Sequence, residues 1–404
     1  MAALRDDALV PGTARRRYLA LAAVIALLGV SAGVFFLRAS GVAPLPDPAG
    51  TPSIPVDGTS SPARELLPGR LLLAGDEGVY VIGDDIEDAT ELPEDLAGME
   101  LSPDGTRVLA ARYQQEPTGI TRDTELVAVD VTTGETTTLV TAGRKEDVAP
   151  AVWSPDGKQV AYRLTTYGRD PALEHPRGHG QRSALCVLSV ENGTTQCFGD
   201  LGRVDGFAWS PDGRELIVDG ALPLQVVDVR SGSTRAIGKP NDPWLRLIQT
   251  HGPFAGFVFP SWSPSGRYVA AVADTGLRRV VVFDRRGRLV AAGRPFRDFF
   301  TGSVWSPSRD VIAYVSVNGN IVQSRGLATE VRLLVVRTGR EVVVRSFRSY
   351  PLVYGLEWDP SGELIAALLY DAGHEWLSIA DVAERRWSRL SLRRSVTELL
   401  DWGP

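Results

Sequence analysis

Histidine is the residue type in this sequence best suited to catalysis or metal binding, because a neutral imidazole can act both as a base and as a metal ligand. All four histidines fall in predicted loops: His175, His179, His251 and His374. Two of them lie four residues apart in HPRGH, but the proline and glycine between them exclude a helix, so this spacing gives no shared ligand face. A metal-dependent, carbohydrate-active lyase that uses the loop histidines is therefore the alternative hypothesis for function, beside four solvated loop histidines.

The sequence offers no usable motif for other kinds of catalysis. From residue 67 onward it contains no Gly-x-Ser-x-Gly, and nowhere does it contain a phosphate-binding glycine loop followed by lysine or a His-Glu-x-x-His; the one Gly-x-Ser-x-Gly, residues 29–33, lies inside the uncharged N-terminal segment. The acidic stretch GDDIEDATELPED does not have the spacing of a calcium-binding loop. We therefore expect no catalytic residue, no metal and no cofactor, and a function other than that of an enzyme.

Two cysteines, Cys186 and Cys197, flank the turn VENG and are predicted on neighbouring strands of one hairpin. They are too few for a disulfide framework or a structural zinc site. A shift of one residue in the strand register would place their side chains on opposite faces of the sheet. The sequence leaves a disulfide and two buried free thiols as open alternatives.

The charge balance excludes one class of partner. A net charge of −6 is unfavourable for binding nucleic acid, which requires a dense basic face. Almost all of the positive charge comes from arginine, since the only lysines are Lys145, Lys158 and Lys239. We take this arginine bias to indicate a GC-rich, bacterial genome.

The N-terminal region predicts a membrane anchor and a tether. Residues 18–37 carry no charge, and about 20 residues at helical rise span the hydrocarbon layer of a membrane. Three arginines, residues 15–17, directly precede this segment, whereas only Arg38 directly follows it. Residues 1–17 are therefore predicted in the cytoplasm and the rest outside, a type II topology. The competing interpretation is a cleaved signal peptide, which also exports the remaining chain. Residues 38–66, rich in proline and small polar residues, predict an extended linker.

After the linker, the chain repeats one short phrase. AVWSPDGKQVAY has close copies in MELSPDGTRVLA, FAWSPDGRELIV, PSWSPSGRYVAA, SVWSPSRDVIAY and LEWDPSGELIAA, and a truncated copy, DWGP, ends the sequence. Consecutive copies are 43 to 56 residues apart, a period typical of blades or solenoid units. The phrase recurs at Ser102, Ser154, Ser210, Ser263, Ser306 and Asp359.

Each unit has the pattern of a four-stranded antiparallel sheet. Short alternating strands are separated by glycine-containing turns, and helical periodicity is absent after residue 40. Such repeats favour an all-β fold, a seven-bladed β-propeller over residues 67–404. Residues 69–93 supply three strands without a preceding Trp-Pro strand, and residues 395–404 supply a Trp-Pro strand with nothing after it. We therefore predict that these two segments complete one composite blade and close the ring.

The repeated residues themselves have a structural interpretation. Proline, aspartate and glycine at successive positions suit a tight turn, in which glycine takes the left-handed conformation. Tryptophan recurs just before this turn, at a position where a large apolar ring can pack between adjacent sheets. We expect this packing role for Trp153, Trp209, Trp262, Trp305 and Trp358.

This pattern resembles the WD40-like repeat of the TolB family. Residues 153–157 and 209–213 both read Trp-Ser-Pro-Asp-Gly, the full phrase of that repeat, and the resemblance extends over residues 67–404. It implies a β-propeller, here in a membrane-anchored bacterial member of the family.

Loop length distinguishes the two ends of the predicted propeller. The Ser-Pro-Asp-Gly turn and the tight turn before the last strand share one end, the short-turn end, and the longer connections fall at the other, the long-loop end. Long loops on a rigid scaffold usually carry binding residues, so we predict the recognition face at the long-loop end. Its candidates combine arginine with histidine and aromatic side chains, as contact surfaces do: Arg144, Tyr167, Arg169, Arg177, Arg182, Trp244, Arg246, His251, Phe299, His374 and Trp376. The alternative is that these loops bury their own aromatic side chains.

These observations predict an extracytoplasmic propeller, held to the cell membrane by residues 18–37, that binds a protein or a cell-wall glycan of the bacterial envelope without catalysis. A sensor that reports through the cytoplasmic tail is a further hypothesis, although residues 1–17 are short for a signalling domain.

Overall fold

In the computed structural model, residues 67–404 are described apart from short gaps, and all regular secondary structure in these described residues is β-strand. The gaps are residues 77, 84–88, 94, 116–120, 168–181, 200, 203, 220–223, 239–255, 275–277, 297–302, 321–324, 349–351, 372–373, 391 and 393–394. The predicted tail, transmembrane helix and linker, residues 1–66, lie outside the described residues. Within the described part, no helix has the length and apolar character needed to cross a membrane.

The strands form seven antiparallel sheets in the described residues, as the repeats predict. One sheet, the composite blade, contains β1 (Arg70–Gly75), β2 (Gly78–Ile82), β3 (Ala89–Leu92) and the last strand of the chain, β29 (Glu398–Gly403). Blade 1 contains β4 (Leu96–Leu101), β5 (Arg107–Gln115), β6 (Thr121–Asp130) and β7 (Thr136–Thr141). Blade 2 contains β8 (Glu146–Asp147), β9 (Ala151–Trp153), β10 (Gln159–Thr166), β11 (Arg182–Ser189) and β12 (Thr195–Phe198).

Four further blades follow in chain order. Blade 3 contains β13 (Phe207–Trp209), β14 (Glu215–Val218), β15 (Leu224–Asp228) and β16 (Thr234–Ile237). Blade 4 contains β17 (Gly256–Trp262), β18 (Tyr268–Asp274), β19 (Arg278–Asp284) and β20 (Leu289–Ala292). Blade 5 contains β21 (Ser303–Trp305), β22 (Val311–Asn320), β23 (Arg325–Val335) and β24 (Arg340–Arg348). Blade 6 contains β25 (Leu352–Trp358), β26 (Leu364–Asp371), β27 (His374–Asp381) and β28 (Arg386–Arg389).

The predicted closure by the two chain segments is confirmed. β29 pairs antiparallel with β1, with Leu71 opposite Trp402. The end of the chain also contacts blade 1. The carbonyl oxygen of Pro404 lies so close to Gly105 that a Cβ atom at this position would be only 1.9 Å from it. Only glycine fits this close approach, and its φ of 68° also favours glycine. Closing the ring leaves no long exposed sheet edge between the first and last blades.

Apolar packing joins the blades around the whole ring. Within the described residues, seven buried clusters each combine side chains from two neighbouring blades, one cluster for every interface of the ring. Trp153 lies in the cluster between blades 1 and 2, and Trp402 in the one between blade 6 and the composite blade. The predicted packing role of the repeated tryptophans is therefore confirmed. The interface between the composite blade and blade 1 has Leu101 at the tryptophan position.

The repeated turn is held by its own polar side chains. In blade 2 the hydroxyl of Ser154, itself buried, donates to Asp156 Oδ1 at 2.7 Å and accepts the N–H of Gln159 at 2.9 Å. Gly157 completes the turn at a φ of 67°. The same contacts recur in blades 1 and 3, so the phrase has a structural role in each of them.

Candidate functional site

The described strands assign every connection to one of the two ends. Connections from first to second strand and from third to fourth strand share the short-turn end, and the others share the long-loop end. The two widest separations between consecutive strands, over residues 167–181 and 238–255, both belong to the long-loop end. The contrast in connection length that the sequence predicts is therefore present in the fold.

Three of the candidate recognition residues lie together at the long-loop end of blade 2. Arg182 begins β11 opposite Thr166, the last residue of β10, and the next residue, Tyr167, donates its backbone N–H to Lys145 O at 2.9 Å. Arg144 precedes this contact by one residue, and Arg144 and Arg182 are both exposed. The phenolic hydroxyl of Tyr167, which is half-buried, donates to Asp147. Two exposed arginines thus lie near one anchored tyrosine in the fold.

Two other candidates lie on blade 6, on a different side of the ring. His374 begins β27 and is exposed, whereas Trp376 is half-buried and packs against the cluster between blades 5 and 6. The guanidinium carbon of Arg389 lies 5.2 Å from the centre of the Trp376 ring. Blades 2 and 6 are separated by blade 1 and the composite blade, so the structure does not bring these two residues to the blade 2 group.

The remaining candidates are outside the described residues. They are Arg169, Arg177, Trp244, Arg246, His251 and Phe299, and the same holds for His175 and His179. Convergence of the four histidines, which the lyase hypothesis requires, stays a prediction. Among the residues that the structure describes, no group of three or more histidine, cysteine, aspartate or glutamate side chains could hold a metal ion.

The open question about the cysteines has a definite answer. Cys186 on β11 lies directly opposite Cys197 on β12, and the two form a disulfide. The register therefore places both side chains on the same face of the hairpin. Cys186 is buried between blades 1 and 2, and Cys197 is exposed at the outer strand of blade 2.

The inner strands define a second candidate site, at the axis of the ring. One position, two residues before the turn serine or its equivalent, recurs in all seven blades and is called the channel position. A cavity of about 400 Å³ at the short-turn end is lined by five of these residues, together with turn and tryptophan residues. The channel positions are Glu100, Val152, Ala208, Ser261, Val304, Glu357 and Asp401. Three carboxylic acids thus occupy consecutive blades, while the other four positions are neutral.

Hydrogen bonds link two of these acids to the next blade. Asp401 accepts the backbone N–H of Leu101 at 2.8 Å, and Glu100 accepts the backbone N–H of Trp153 at 3.1 Å. Each bond joins the inner strand of one blade to the inner strand of the next, where no β-ladder connects them. The channel acids therefore contribute to the cohesion of the ring.

The channel acids also hold protons more tightly than usual. Burial, assisted by the charge of Asp401, raises the pKa of Glu100 to about 8. Burial raises the pKa of Asp401, and burial with the charges of Asp401 and Glu100 raises the pKa of Glu357 well above its ordinary value. Desolvation and like charges disfavour the ionised form in the same direction. Near neutral pH the cluster therefore carries less than its full negative charge.

The motifs singled out in the sequence do not predict this cluster, although the sequence contains a signal for it. The letters before each turn read MEL, AVW, FAW, PSW, SVW, LEW and LDW, and a comparison of their middle letters gives the channel positions directly. The tryptophan and the turn residues recur in most copies and have a packing role. The channel position varies between copies, so the repeat pattern alone does not single it out.

Comparison with known proteins supports the fold and goes no further. No protein-family model and no curated protein sequence matches the chain. Among solved structures, an oligogalacturonate lyase in complex with manganese is similar with a TM-score of 0.54 and 11% identity, over 80% of this chain and 83% of that chain. A chain of the mitotic checkpoint complex is similar with a TM-score of 0.52 and 16% identity, over 87% of this chain and 92% of that chain. A TolB from Acinetobacter baumannii has a TM-score of 0.42 and 14% identity, over 81% of this chain and 80% of that chain. Identities this low show a shared propeller fold, so membership of the TolB family stays a prediction.

Proposed function

We propose that this protein is a membrane-anchored, extracytoplasmic propeller that binds a protein or a cell-wall glycan at the bacterial cell envelope and catalyses no reaction. The observation that carries the proposal is the contrast between its ends. A ring closed by seven apolar interfaces holds the long connections at one end only. Variable loops on a rigid scaffold are a common arrangement for recognition.

The disulfide supports the extracytoplasmic location. Disulfides such as Cys186–Cys197 persist in oxidising compartments and are rare in the cytosol. The uncharged segment 18–37 and the arginines 15–17 before it support an anchor with the propeller outside. Both features concern the location of the propeller and do not depend on which ligand it binds.

The composition of the blade 2 group supports recognition at the long-loop end. Arg144 and Arg182 are exposed there beside Tyr167, and arginine and tyrosine are enriched in contact surfaces. The similar propeller from the mitotic checkpoint complex belongs to a protein assembly, which agrees with a binding role for this fold. The oligogalacturonate lyase has a similar fold, so an enzymatic outcome has to be part of the test.

Site-specific photo-crosslinking in cells tests the proposal. A photoreactive residue at Arg144 or Arg182 is expected to capture one specific envelope partner. The same residue at Thr132, in an exposed turn at the short-turn end of blade 1, is the matched control and is expected to capture none. Charge reversals at Arg169, Arg177 and Arg246 are expected to abolish the crosslink while thermal unfolding stays unchanged.

Two results would overturn the proposal. A crosslink that survives all three charge reversals would assign recognition to another face. A purified full chain that retains a stoichiometric metal ion and cleaves an acidic polysaccharide, with both properties lost in His175→Ala and His251→Ala, would establish the lyase hypothesis instead.

A further inference from the structure

A groove opens between blades 2 and 3 at the short-turn end, away from the long loops. Its volume is about 790 Å³, within the range of about 300–1,000 Å³ for small-molecule sites. Blade 2 forms one wall with the start of β10 and the β11–β12 hairpin, and blade 3 forms the other with its two turns. The disulfide Cys186–Cys197 crosslinks the two strands of this β11–β12 hairpin and so stabilises the blade 2 wall.

The blade 2 wall offers neutral hydrogen-bonding groups. Gln159, Ser189 and Gln196 line the groove, and their side chains make no hydrogen bond within the described part of the chain. Amide and hydroxyl side chains can each donate and accept, which matches the hydroxyl groups of a sugar. The hydroxyls of Thr194 and Thr195 also line the groove, but they already bond to Asn192 and Tyr162 respectively.

The blade 3 wall offers two positive charges. Arg214 follows the turn glycine and Arg230 lies in the next turn, and both are exposed. Neither guanidinium forms an ion pair or hydrogen bond with the described residues. Asp228, which lines the same groove, accepts the N–H and the hydroxyl of Ser231, each at 2.7 Å, and these bonds together with the charge of Arg230 lower its pKa. Two guanidinium groups are therefore available to bind an anion from outside.

On the blade 3 side of the groove the surface is positive although the whole chain is negative, whereas on the blade 2 side Asp156 and Glu191 outnumber Lys158. At the short-turn end of blades 3 and 4, arginines outnumber carboxylates, and each of these carboxylates is already engaged by a serine or an arginine. The arginines are Arg214, Arg230, Arg235, Arg267, Arg285, Arg286 and Arg288, and the carboxylates are Asp212, Glu215, Asp228 and Asp284. This excess attracts anions within a Debye length of about 8 Å at physiological salt.

We propose that this groove is a binding site for an acidic oligosaccharide that carries carboxylate groups, such as a uronic-acid segment of a cell-wall glycan. Arg214 and Arg230 bind the carboxylates, since guanidinium pairs with carboxylate in a two-bond geometry. Gln159, Ser189 and Gln196 bind the sugar hydroxyls. The proposal rests on the extracytoplasmic location in the proposed function and assigns a glycan to the short-turn end of the propeller.

Titration of the detergent-solubilised full chain with a glucuronic-acid hexasaccharide tests this site. Calorimetry is expected to show saturable, salt-sensitive binding, which the double variant Arg214→Ala/Arg230→Ala weakens at least tenfold. Arg337→Ala removes an exposed arginine from the corresponding turn of blade 5 and is expected to change the affinity less than twofold. All three arginines are exposed, so thermal unfolding should be the same in every variant.

Three results would overturn the groove proposal: no binding of the hexasaccharide at millimolar concentration, equal affinity for a neutral glucose hexasaccharide, or equal affinity for hexaglutamate. A double variant that binds as tightly as the native chain would also contradict it. None of these results affects the crosslink at Arg144 or Arg182, so failure of the groove and failure of the proposed function are distinguishable.

Discussion

The seam of the ring and the arc opposite it use the same fold with different chemistry at one position. The seam, defined as the composite blade with the inner strands of blades 6 and 1, has Glu357, Asp401 and Glu100 at the channel position. Blades 2 to 5 have valine, alanine, serine and valine there. The inner strands pair with their neighbours in the same way on both sides, so the channel position accommodates either a half-buried acid or a neutral side chain.

This difference changes which interactions join neighbouring blades in the arc and at the seam. In the arc, the indole N–H of Trp209 donates to the carbonyl of Val152 at 3.4 Å, and that of Trp305 donates to the hydroxyl of Ser261 at 3.1 Å, each across a blade interface. At the seam, leucine replaces tryptophan in blade 1, and the carboxylate of Asp401 accepts the backbone N–H of that Leu101. Apolar packing dominates the arc, whereas the seam adds ionisable groups and is therefore sensitive to pH.

Deletion of residues 398–404 is expected to have the largest effect. It removes β29, the only strand that connects the two ends of the ring in the described residues, and uncovers the cluster that contains Leu71 and Trp402. We expect circular dichroism to show loss of the cooperative thermal transition. Deletion of residues 44–50, in the predicted linker, is the control and should leave the transition unchanged. A truncated chain with a native transition would show that the seam is dispensable.

Loss of one repeated tryptophan should cost less than loss of β29. Trp358→Ala removes a buried ring from the cluster between blades 5 and 6 and leaves a cavity, which is expected to lower the free energy of unfolding by about 3–5 kcal/mol. His374→Ala, at an exposed position of the same blade, should change it by less than about 0.5 kcal/mol. Urea unfolding followed by fluorescence measures both. Equal values for the two variants would contradict the packing role of the tryptophan.

The seam acids make stability depend on pH. Because the pKa of Glu100 rises from 4.5 to about 8 on folding, the folded chain binds the proton more tightly, and the free energy of unfolding decreases as the pH rises from 4.5 to about 8. Glu100→Gln should remove the part of this decrease that Glu100 contributes, on the order of a few kcal/mol, and should be more stable than the native chain above pH 8. Thermal unfolding between pH 5 and pH 9 measures the effect.

The control for the pH series is Glu191→Gln, which alters an exposed glutamate in a turn of blade 2. This variant should follow the native pH profile. If Glu100→Gln also followed the native profile, the carboxyl group of Glu100 would not be the source of the pH dependence.

The smallest expected effect concerns a turn. The hydroxyl of Ser102 donates to Asp104 and lowers the pKa of that carboxyl to about 2, so the contact stabilises the fold above the ordinary pKa of 3.8 and is lost as the pH falls through 2. Asp104→Ala should cost about 0.5–1.5 kcal/mol at pH 7 and nothing below pH 2. Ser265→Ala changes the corresponding neutral residue of blade 4, so its effect should not vary with pH. A pH-independent cost for Asp104→Ala would contradict the ionic nature of the contact.

The repeats predicted the architecture because each structural requirement recurs. Period-2 strands, the Pro-Asp-Gly turn and the tryptophan before it each appear several times, so blade count, closure and the packing of Trp153 and Trp209 could be read from one chain. The disulfide could not be decided, because it depends on the exact pairing of Cys186 with Cys197, which turn length alone does not fix.

The candidate sites were less accessible from sequence because their residues do not repeat. The channel acids occupy three of seven equivalent positions, and Arg214 and Arg230 come close because β14 pairs with β15, where Val229 donates its backbone N–H to Arg214 O. At the long-loop end, Tyr167 and Arg182 come together through strand register, whereas Trp376 packs against its own blade interface. Loop composition identified the residue types without their neighbours.

The most direct test of the closed ring is an engineered crosslink between its first and last strands. Ala74 on β1 lies opposite Glu398 on β29, and opposed residues of antiparallel strands are close enough for a disulfide. In the full-length chain, Ala74→Cys/Glu398→Cys is expected to form an intramolecular disulfide that joins the two terminal peptides in mass spectrometry and raises the unfolding temperature. Two free thiols after oxidation, in a chain that still unfolds cooperatively, would contradict the closure of the ring.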